Sequence, residues 1–239
     1  MPNPTAAMLV IGDEILSGRT RDANMHHLAG QLTEVGITLG EVRIVSDDHD
    51  AIVAALNALR TAWDTVFTSG GIGPTHDDIT ADAVGAAFGA TVDIRDDARQ
   101  LLADHYARTG SELNDARLRM ARIPEGATLI DNPVSVAPGF TLGNVHVMAG
   151  VPAVFQAMVA SVLPTLTGGS PLTSTSTRID RGEGDIAGPL GEIAQAFPDL
   201  SVGSYPFQKD GKFGANVVIR GQDPALVQTA TNRLRATFA

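Results

Sequence analysis

Apolar residues run along this chain in two rhythms. Short continuous runs bounded by glycine alternate with longer stretches in which apolar positions return every three or four residues. The first run, Ala6-Ala7-Met8-Leu9-Val10-Ile11, ends at Gly12 and predicts a parallel strand buried on both faces. Over 22–35, Ala23, His27/Leu28 and Leu32 recur at helical spacing, and Gly36 stops the helix. Residues 37–45 predict a second strand, 51–61 a helix, 65–68 a third strand, and 80–88 a helix closed by Gly89. Strands alternating with helices point to an α/β fold.

The alternation continues with a short strand at 91–94, a charged amphipathic helix at 96–108 and a further helical piece at 114–122. Asp131-Asn132-Pro133 reads as a turn. Residues 145–148 predict another buried strand, and Ala149-Gly150-Val151-Pro152 a glycine turn that opens a helix over 153–166. Thr167-Gly168-Gly169-Ser170-Pro171 has linker composition. Beyond it come a strand at 174–181, a helix at 186–197, strands at 200–205 and 213–220, and a helix at 224–238. The division is a domain over 1–167 and a small α+β unit over 172–239, marginal alone. Polar residues of the small unit concentrate at Arg178, Arg181 and Gly182-Glu183-Gly184-Asp185 without a catalytic constellation, which points to dimerisation or a lid.

Candidate chemistry centres on VFTSGGIGPTHDDIT at 66–80. A strand that breaks into glycines and then opens a helix gathers backbone N–H groups and the positive end of the helix dipole, an arrangement suited to phosphate. Candidate ligand contacts are Thr68, Ser69, Gly70, Gly71, Gly73, Pro74 and Thr75. Asp77 and Asp78 would repel a phosphate unless a divalent cation stands between them. The loop is neither a Walker A sequence nor a dinucleotide fingerprint. It reads also as a plain glycine-rich turn with an aspartate cap. Gly12, Asp13, Glu14 and Ser17 follow the first strand, and Asp47, Asp48, His49 and Asp50 follow the second, where helix capping competes with a share in the same site. Gly150 and Pro152 make a third glycine-containing turn at this edge, where open α/β sheets bind ligands. Arg108, Arg117, Arg119 and Arg122 offer phosphate contacts or solvated faces and ion pairs. His76 is the loop's one histidine.

Composition narrows the classes. The net charge is −10 and lysine stands only at Lys209 and Lys212, which disfavours nucleic acid as a partner. The absence of cysteine excludes disulfides, thiolate zinc sites and a cysteine nucleophile. No apolar run approaches ~18 residues and MPNPTAA is too short and polar for a secretory signal, so a soluble cytoplasmic protein without membrane partners is expected.

GDEILSG at 12–18, SGGIGPTHDDIT at 69–80, the Asn132-Pro133-Val134 and Ala137-Pro138-Gly139-Phe140 run, and the Gly-Val-Pro ending at Pro152 resemble the molybdopterin-binding MoaB/Mog-type domain. Within that group the chain resembles the amino-terminal half of the CinA (competence/damage-inducible) type, and it is similar to the amino-terminal domain of eukaryotic FAD synthetases. The likeness covers about residues 6–167, and the small unit looks like the subdomain appended in the CinA type. It implies a three-layer α/β/α fold with a mainly parallel sheet, and a homo-oligomer, dimer or trimer. By position it implies Asp47 and Asp78 as the catalytic carboxylates. Asp77, Asp78, Asp13 and Glu14 are the expected ligands of a divalent metal, magnesium or cobalt. The activity implied is metal-dependent hydrolysis of a nucleotide pyrophosphate such as ADP-ribose or FAD. A second reading is molybdopterin binding, with the pterin bounded by Pro138, Gly139, Gly150 and Pro152; a third is a non-catalytic oligomerisation scaffold. Neither an amidohydrolase nor an FAD-forming transferase domain is read in this chain, so those activities are not carried over. Ala153-Val154 stands where CinA relatives often carry Ser-Glu, which removes a polar contact expected at that edge.

Overall fold

The computed structural model describes residues 3–209 and 211–238. The chain forms two compact units, Met1–Gly169 and Ser170–Ala239. In the first unit the elements run β1 (Thr5–Ile11), α1 (Asp13–Leu16), α2 (Asn24–Glu34), β2 (Thr38–Val45), α3 (His49–Ala62), β3 (Thr65–Ser69) and α4 (Thr80–Phe88). They continue as β4 (Val92–Ile94), α5 (Asp96–Thr109), α6 (Asp115–Leu118), β5 (Arg122–Pro124), β6 (Thr128–Ile130), β7 (Gly139–Leu142), β8 (Val145–Met148) and α7 (Pro152–Val162).

Six strands form one sheet in the order β2-β1-β3-β8-β7-β6. β1 pairs in parallel with β2 and β3, and β3 with β8. β7 runs antiparallel to both β8 and β6. The continuous apolar run of β1 has a direct cause: both faces are covered. Ala7, Leu9 and Ile11 pack with Ile52, Leu56 and Leu59 of α3, Val84 of α4 and Leu102 of α5. Ala6, Met8 and Val10 pack with Leu28 and Leu32 of α2 and with Phe155, Met158 and Val162 of α7. Each such large apolar side chain contributes about 1.5–3 kcal/mol when fully buried. The result is the expected three-layer α/β/α arrangement around a mainly parallel sheet.

Local expectations shift where one residue overrides the pattern. The helix expected at 114–122 breaks into α6, a 3₁₀ turn at Arg119–Ala121, and β5, which pairs antiparallel with β4. Ile123 is drawn into the core and Pro124 has no N–H for a helix. The helix expected at 153–166 gives way at Leu163–Thr165 to a 3₁₀ turn, again at a proline, Pro164. The 139–142 stretch, given no element from sequence, is strand β7; a Cβ on Gly139 would meet the Val147 carbonyl at 2.4 Å, so the close strand pairing needs glycine. Gly139 is thus placed in the sheet as a packing residue.

The second unit contains β9 (Thr173–Ile179), α8 (Glu183–Ala196), β10 (Ser201–Lys209), β11 (Lys212–Gly221) and α9 (Pro224–Thr237). Its three-stranded antiparallel sheet has the order β10-β11-β9. Ile186, Ile193, Val217, Ile219, Val227 and Leu234 form its own core. β10 continues four residues beyond the expected end, through Pro206, because an edge strand tolerates a missing donor. Among the described residues no helix is long and apolar enough to cross a membrane.

His146 of β8 is the buried ionisable group of the sheet. Its Nδ1 lies 2.9 Å from Thr141 Oγ1 and its ring 5.1 Å from that of Phe67. Burial lowers its pKa from 6.5 to about 4. Below pH 6.5 the unfolded chain takes up a proton that the folded chain refuses, so stability is full above that value and falls as pH drops toward 4. The loss is roughly 3 kcal/mol for a shift of this size. In thermal melts between pH 7 and 4.5, His146→Gln is expected to show a flatter fall in Tm than the unmutated chain. An equal fall would show that His146 does not govern acid sensitivity.

Candidate functional site

Parallel pairing brings the carboxyl ends of β1, β2, β3 and β8 to one edge of the sheet. The chain leaves them through Gly12, Asp47, Gly70 and Gly150. Gly12 N–H donates to the Val45 carbonyl at 3.1 Å, and Gly70 N–H to the Met148 carbonyl at 3.0 Å, so two of these turns are tied to the neighbouring strand. Gly70 has φ 110, and a Cβ there would stand 2.2 Å from the Ile11 carbonyl oxygen; no other residue fits between these strand ends. Buried Thr80, the first residue of α4, closes the loop: its hydroxyl donates to Gly70 O at 3.0 Å and its N–H to Gly71 O at 2.9 Å.

With Gly70 N–H committed to the sheet, the N–H groups of Gly71, Ile72 and Gly73 find no acceptor among the described residues. These three residues and Gly70 line a cleft of about 520 Å³ together with Gly12, Glu14, Thr20, Asp47, Pro74, Asp77, Asp78, Asn132, Ser135, Gly150 and Pro152. Ile11, Ile72, Met120, Ala149, Val151 and Val154 supply its apolar surface. Among the described residues, four carboxylates border it and no Lys, Arg or His does.

Asp47 carries the marked electrostatics. Burial pushes its carboxyl above the ordinary range; the N–H of Asp13 at 3.0 Å pulls the other way, and the charges of Asp13, Glu14 and Asp77 add to the rise. Asp78 is held differently. Its Oδ2 accepts both the N–H (2.8 Å) and the hydroxyl (2.5 Å) of Thr75, which leaves Oδ1. Arg119 braces the same loop by donating to the carbonyls of Thr75 and Asp78, both at 3.2 Å. Arg122 is taken up by a two-pronged pair with Asp82 at 2.6 and 2.7 Å, an ion pair and not a free phosphate contact.

Several expected ligand residues stand away from the cleft wall. Thr68 is fully buried inside β3, and Ser69 is buried with its hydroxyl accepting from Asn24. Thr75 serves the loop's own geometry. Asp13 and Ser17 border, with Leu16 and Arg19, a separate open depression that shares Glu14. Pro138 borders a narrow crevice beside Asp78 and Arg119. His76 projects fully into solvent, 3.8 Å from Asp77. Among the described residues no three His, Asp or Glu side chains converge as ligands for one metal ion.

Two asparagines that sequence reading did not connect with a ligand shape the walls. Asn132 is buried, donating to Ser135 Oγ (2.7 Å) and Ala137 O (2.8 Å) and accepting from the N–H of Val134 and Ser135. That network holds Val136 at φ 67, a conformation β-branched residues rarely take and one that costs about 1–3 kcal/mol. The Asn-Pro pair signalled the turn but not its place beside the cleft. Asn24 opens α2, where an asparagine signals a helix start and nothing more.

The family described as a probable molybdopterin binding domain matches residues 7–168. The chain belongs to this family. Residues 171–239 match the family described as the FAD synthase middle domain. A protein of Pyrobaculum calidifontis is 34% identical over 85% of this chain and 81% of its own length. A CinA-like protein of Citrifermentans bemidjiense is 39% identical over 68% of this chain, and a probable FAD synthase of Caenorhabditis elegans 31% identical over 98%. The chain spans only 40% and 50%, respectively, of those two relatives. The crystal structure of CinA from Thermoplasma acidophilum matches 69% of this chain and 99% of its own, with 32% identity and a TM-score of 0.63. Molybdopterin-binding-type architecture and kinship with CinA-like proteins and FAD synthases are therefore established for the first unit, and the cleft lies inside the region they cover.

A carboxylate whose folded pKa lies above its unfolded value loses stability as pH rises through that interval. Asp47→Asn keeps an acceptor for the Asp13 N–H and removes the charge. It is expected to raise Tm at pH 7 and to leave it little changed near pH 3.5. A lower Tm at pH 7 would contradict the electrostatic reading of Asp47.

Proposed function

We propose that the cleft binds and hydrolyses a nucleotide pyrophosphate of the ADP-ribose or FAD kind, with magnesium or cobalt as cofactor. The observation that supports this most is the run of N–H groups at Gly71, Ile72 and Gly73 without an acceptor among the described residues, in a cleft also lined by Glu14, Asp47, Asp77 and Asp78. A diphosphate accepts from such a run of amides, while the carboxylates repel it unless a cation lies between. The donor set is all hard oxygen, as magnesium requires. Magnesium is held by one or two carboxylates together with substrate phosphates, which agrees with the lack of a three-residue ligand cluster. Kinship with CinA-like proteins and a probable FAD synthase favours a nucleotide ligand.

In this reading the Gly71–Gly73 amides orient the diphosphate, and Asp77 with the free Oδ1 of Asp78 holds the cation. When bound, the cation offsets charge on the phosphoryl oxygens. Asp47, its basicity increased by burial and by its acidic neighbours, takes the proton of the attacking water. Asp78 and Arg119 keep the loop in shape. Ile72, Val151 and Val154 receive the flat base or ring of the ligand. A cytoplasmic homo-oligomer, dimer or trimer, belongs to the same proposal.

A second reading, molybdopterin binding, is favoured by the family description itself. The same amides would take the pterin's phosphate and the apolar wall its ring.

Product analysis with ADP-ribose and FAD, with magnesium and with cobalt, separates the two. AMP is expected only with metal, and Asp47→Asn should reduce turnover by about 10²–10⁴-fold. In the unmutated chain kcat/KM should fall as pH drops through a point above the ordinary carboxylate range. Full metal-dependent turnover by Asp47→Asn would refute the assignment, and tight molybdopterin binding without AMP release would favour the second reading.

A further inference from the structure

Asn24 is 3% exposed at the first residue of α2. Its side-chain amide donates to Ser69 Oγ at 2.7 Å and to the Gly150 carbonyl at 2.8 Å. Ser69 closes β3 and leads into Gly70; Gly150 lies just past β8. The two turns approach so closely that a Cβ on Gly150 would stand 3.3 Å from Gly70 Cα. The carbonyl of Gly150 can only accept, so Nδ2 must face it, which fixes the orientation of the amide. Oδ1 is then buried with no hydrogen-bond partner.

An unsatisfied buried acceptor is destabilising, and an apolar side chain at this position would avoid it. A capping role does not account for the residue either, because neither of its bonds goes to its own helix. One goes to the last residue of β3, directly before the cleft-lining Gly70–Gly73 loop, and the other to Gly150 in the cleft wall. We propose that Asn24 is a positioning residue: it fixes the spacing between the Ser69–Gly71 turn and the Gly150 turn, so the floor of the cleft is set before a ligand arrives. The benefit to binding rests on reading the cleft as a nucleotide site; the coupling of the two turns does not. Loops already ordered in the bound geometry lose less entropy on binding.

Two variants test this. In Asn24→Asp an ionised carboxylate offers Gly150 no proton, whereas the neutral acid offers one, and burial favours the neutral acid as pH falls. On the cleft side the surrounding charges are acidic, since Gly150 shares the cleft with Glu14, Asp47, Asp77 and Asp78, and they favour the neutral acid further. β3 and α7 carry no titratable side chain, and β2 brings Glu41 and Arg43, which pair with each other. α2 itself carries His26, His27 and Glu34, and the Asp22 carboxylate accepts the Asn24 backbone N–H. Ser69→Ala removes one bond, keeps the other, and has no titration.

Amide hydrogen exchange in the ligand-free chain, over 69–73 and 149–152, is compared with the unmutated chain at each pH. Asn24→Asp is expected to exchange about tenfold faster in both segments at pH 8 and to return close to the unmutated rate at pH 5.5, the upper end of what one lost neutral hydrogen bond causes. ADP-ribose affinity should follow the same pattern, with the Kd weakened about tenfold at pH 8 and recovering at pH 5.5. Ser69→Ala should show a smaller loss at both pH values and no recovery; it also decides the matter if Asn24→Asp does not fold. Unchanged exchange in both segments, or a loss in Asn24→Asp identical at the two pH values, would overturn the proposal. If the unmutated chain binds neither ADP-ribose nor FAD, the nucleotide reading falls, while the exchange comparison still decides whether Asn24 couples the turns.

Discussion

Parallel pairing of β1 with β2 and β3, and of β3 with β8, is the constraint from which the cleft follows. Strands that share direction end at one edge, and every chain that leaves them must turn there. The Gly70 amide donating to the Met148 carbonyl extends the pairing of β3 and β8 one step past the last strand residue. That single bond commits the Gly70 amide to the sheet, while Gly70 itself still lines the cleft and the next three amides have no acceptor among the described residues. The apolar faces above and below the sheet make the edge rigid, since β1 is buried on both sides. A loop anchored on such strands holds its amides without help from a ligand.

Electrostatics at this edge works against stability. Glu14, Asp47, Asp77 and Asp78 border a cleft that no basic side chain lines among the described residues, and Asp47 is partly withdrawn from water among them. The arginines nearby are engaged elsewhere: Arg119 with loop carbonyls, Arg122 with Asp82. The same region holds Val136 in a left-handed conformation and Asn24 with an unpaired acceptor. Three separate penalties around one cleft are understandable where the geometry serves a ligand, because strain and unpaired polar groups persist only where surrounding contacts impose them.

Much of the frame was legible. The 65–69, 80–88 and 145–148 elements follow from continuous apolar runs, helical spacing and a closing glycine, all of them local signals. The glycine loop and the acidic residues past β1 and β2 announced themselves by position. Prolines marked where expectation failed: Pro124 closes strand β5 just past the stretch read as helix, Pro164 sits in the 3₁₀ turn that ends the 153–166 helix early, and Pro206 sits in an edge strand that alternation cut short. β7 was hidden because a four-residue strand holding a glycine has no periodicity to read, and only its pairing with β8 makes it a strand.

The sequence by itself determined the α/β alternation, the glycine turns and the acidic character of the sheet edge, since these depend on neighbours a few residues apart. The tertiary structure decided which of those residues meet. It withdrew Thr68 and Ser69 into the interior, committed the Gly70 amide to β8, and set Asp78 to cap its own loop. It also brought Asn24 to Gly150 across 126 positions of chain. Side chains so far apart in sequence share a hydrogen bond only because strand order places their elements together, and strand order rests on pairing between segments distant in the chain, which no local pattern encodes.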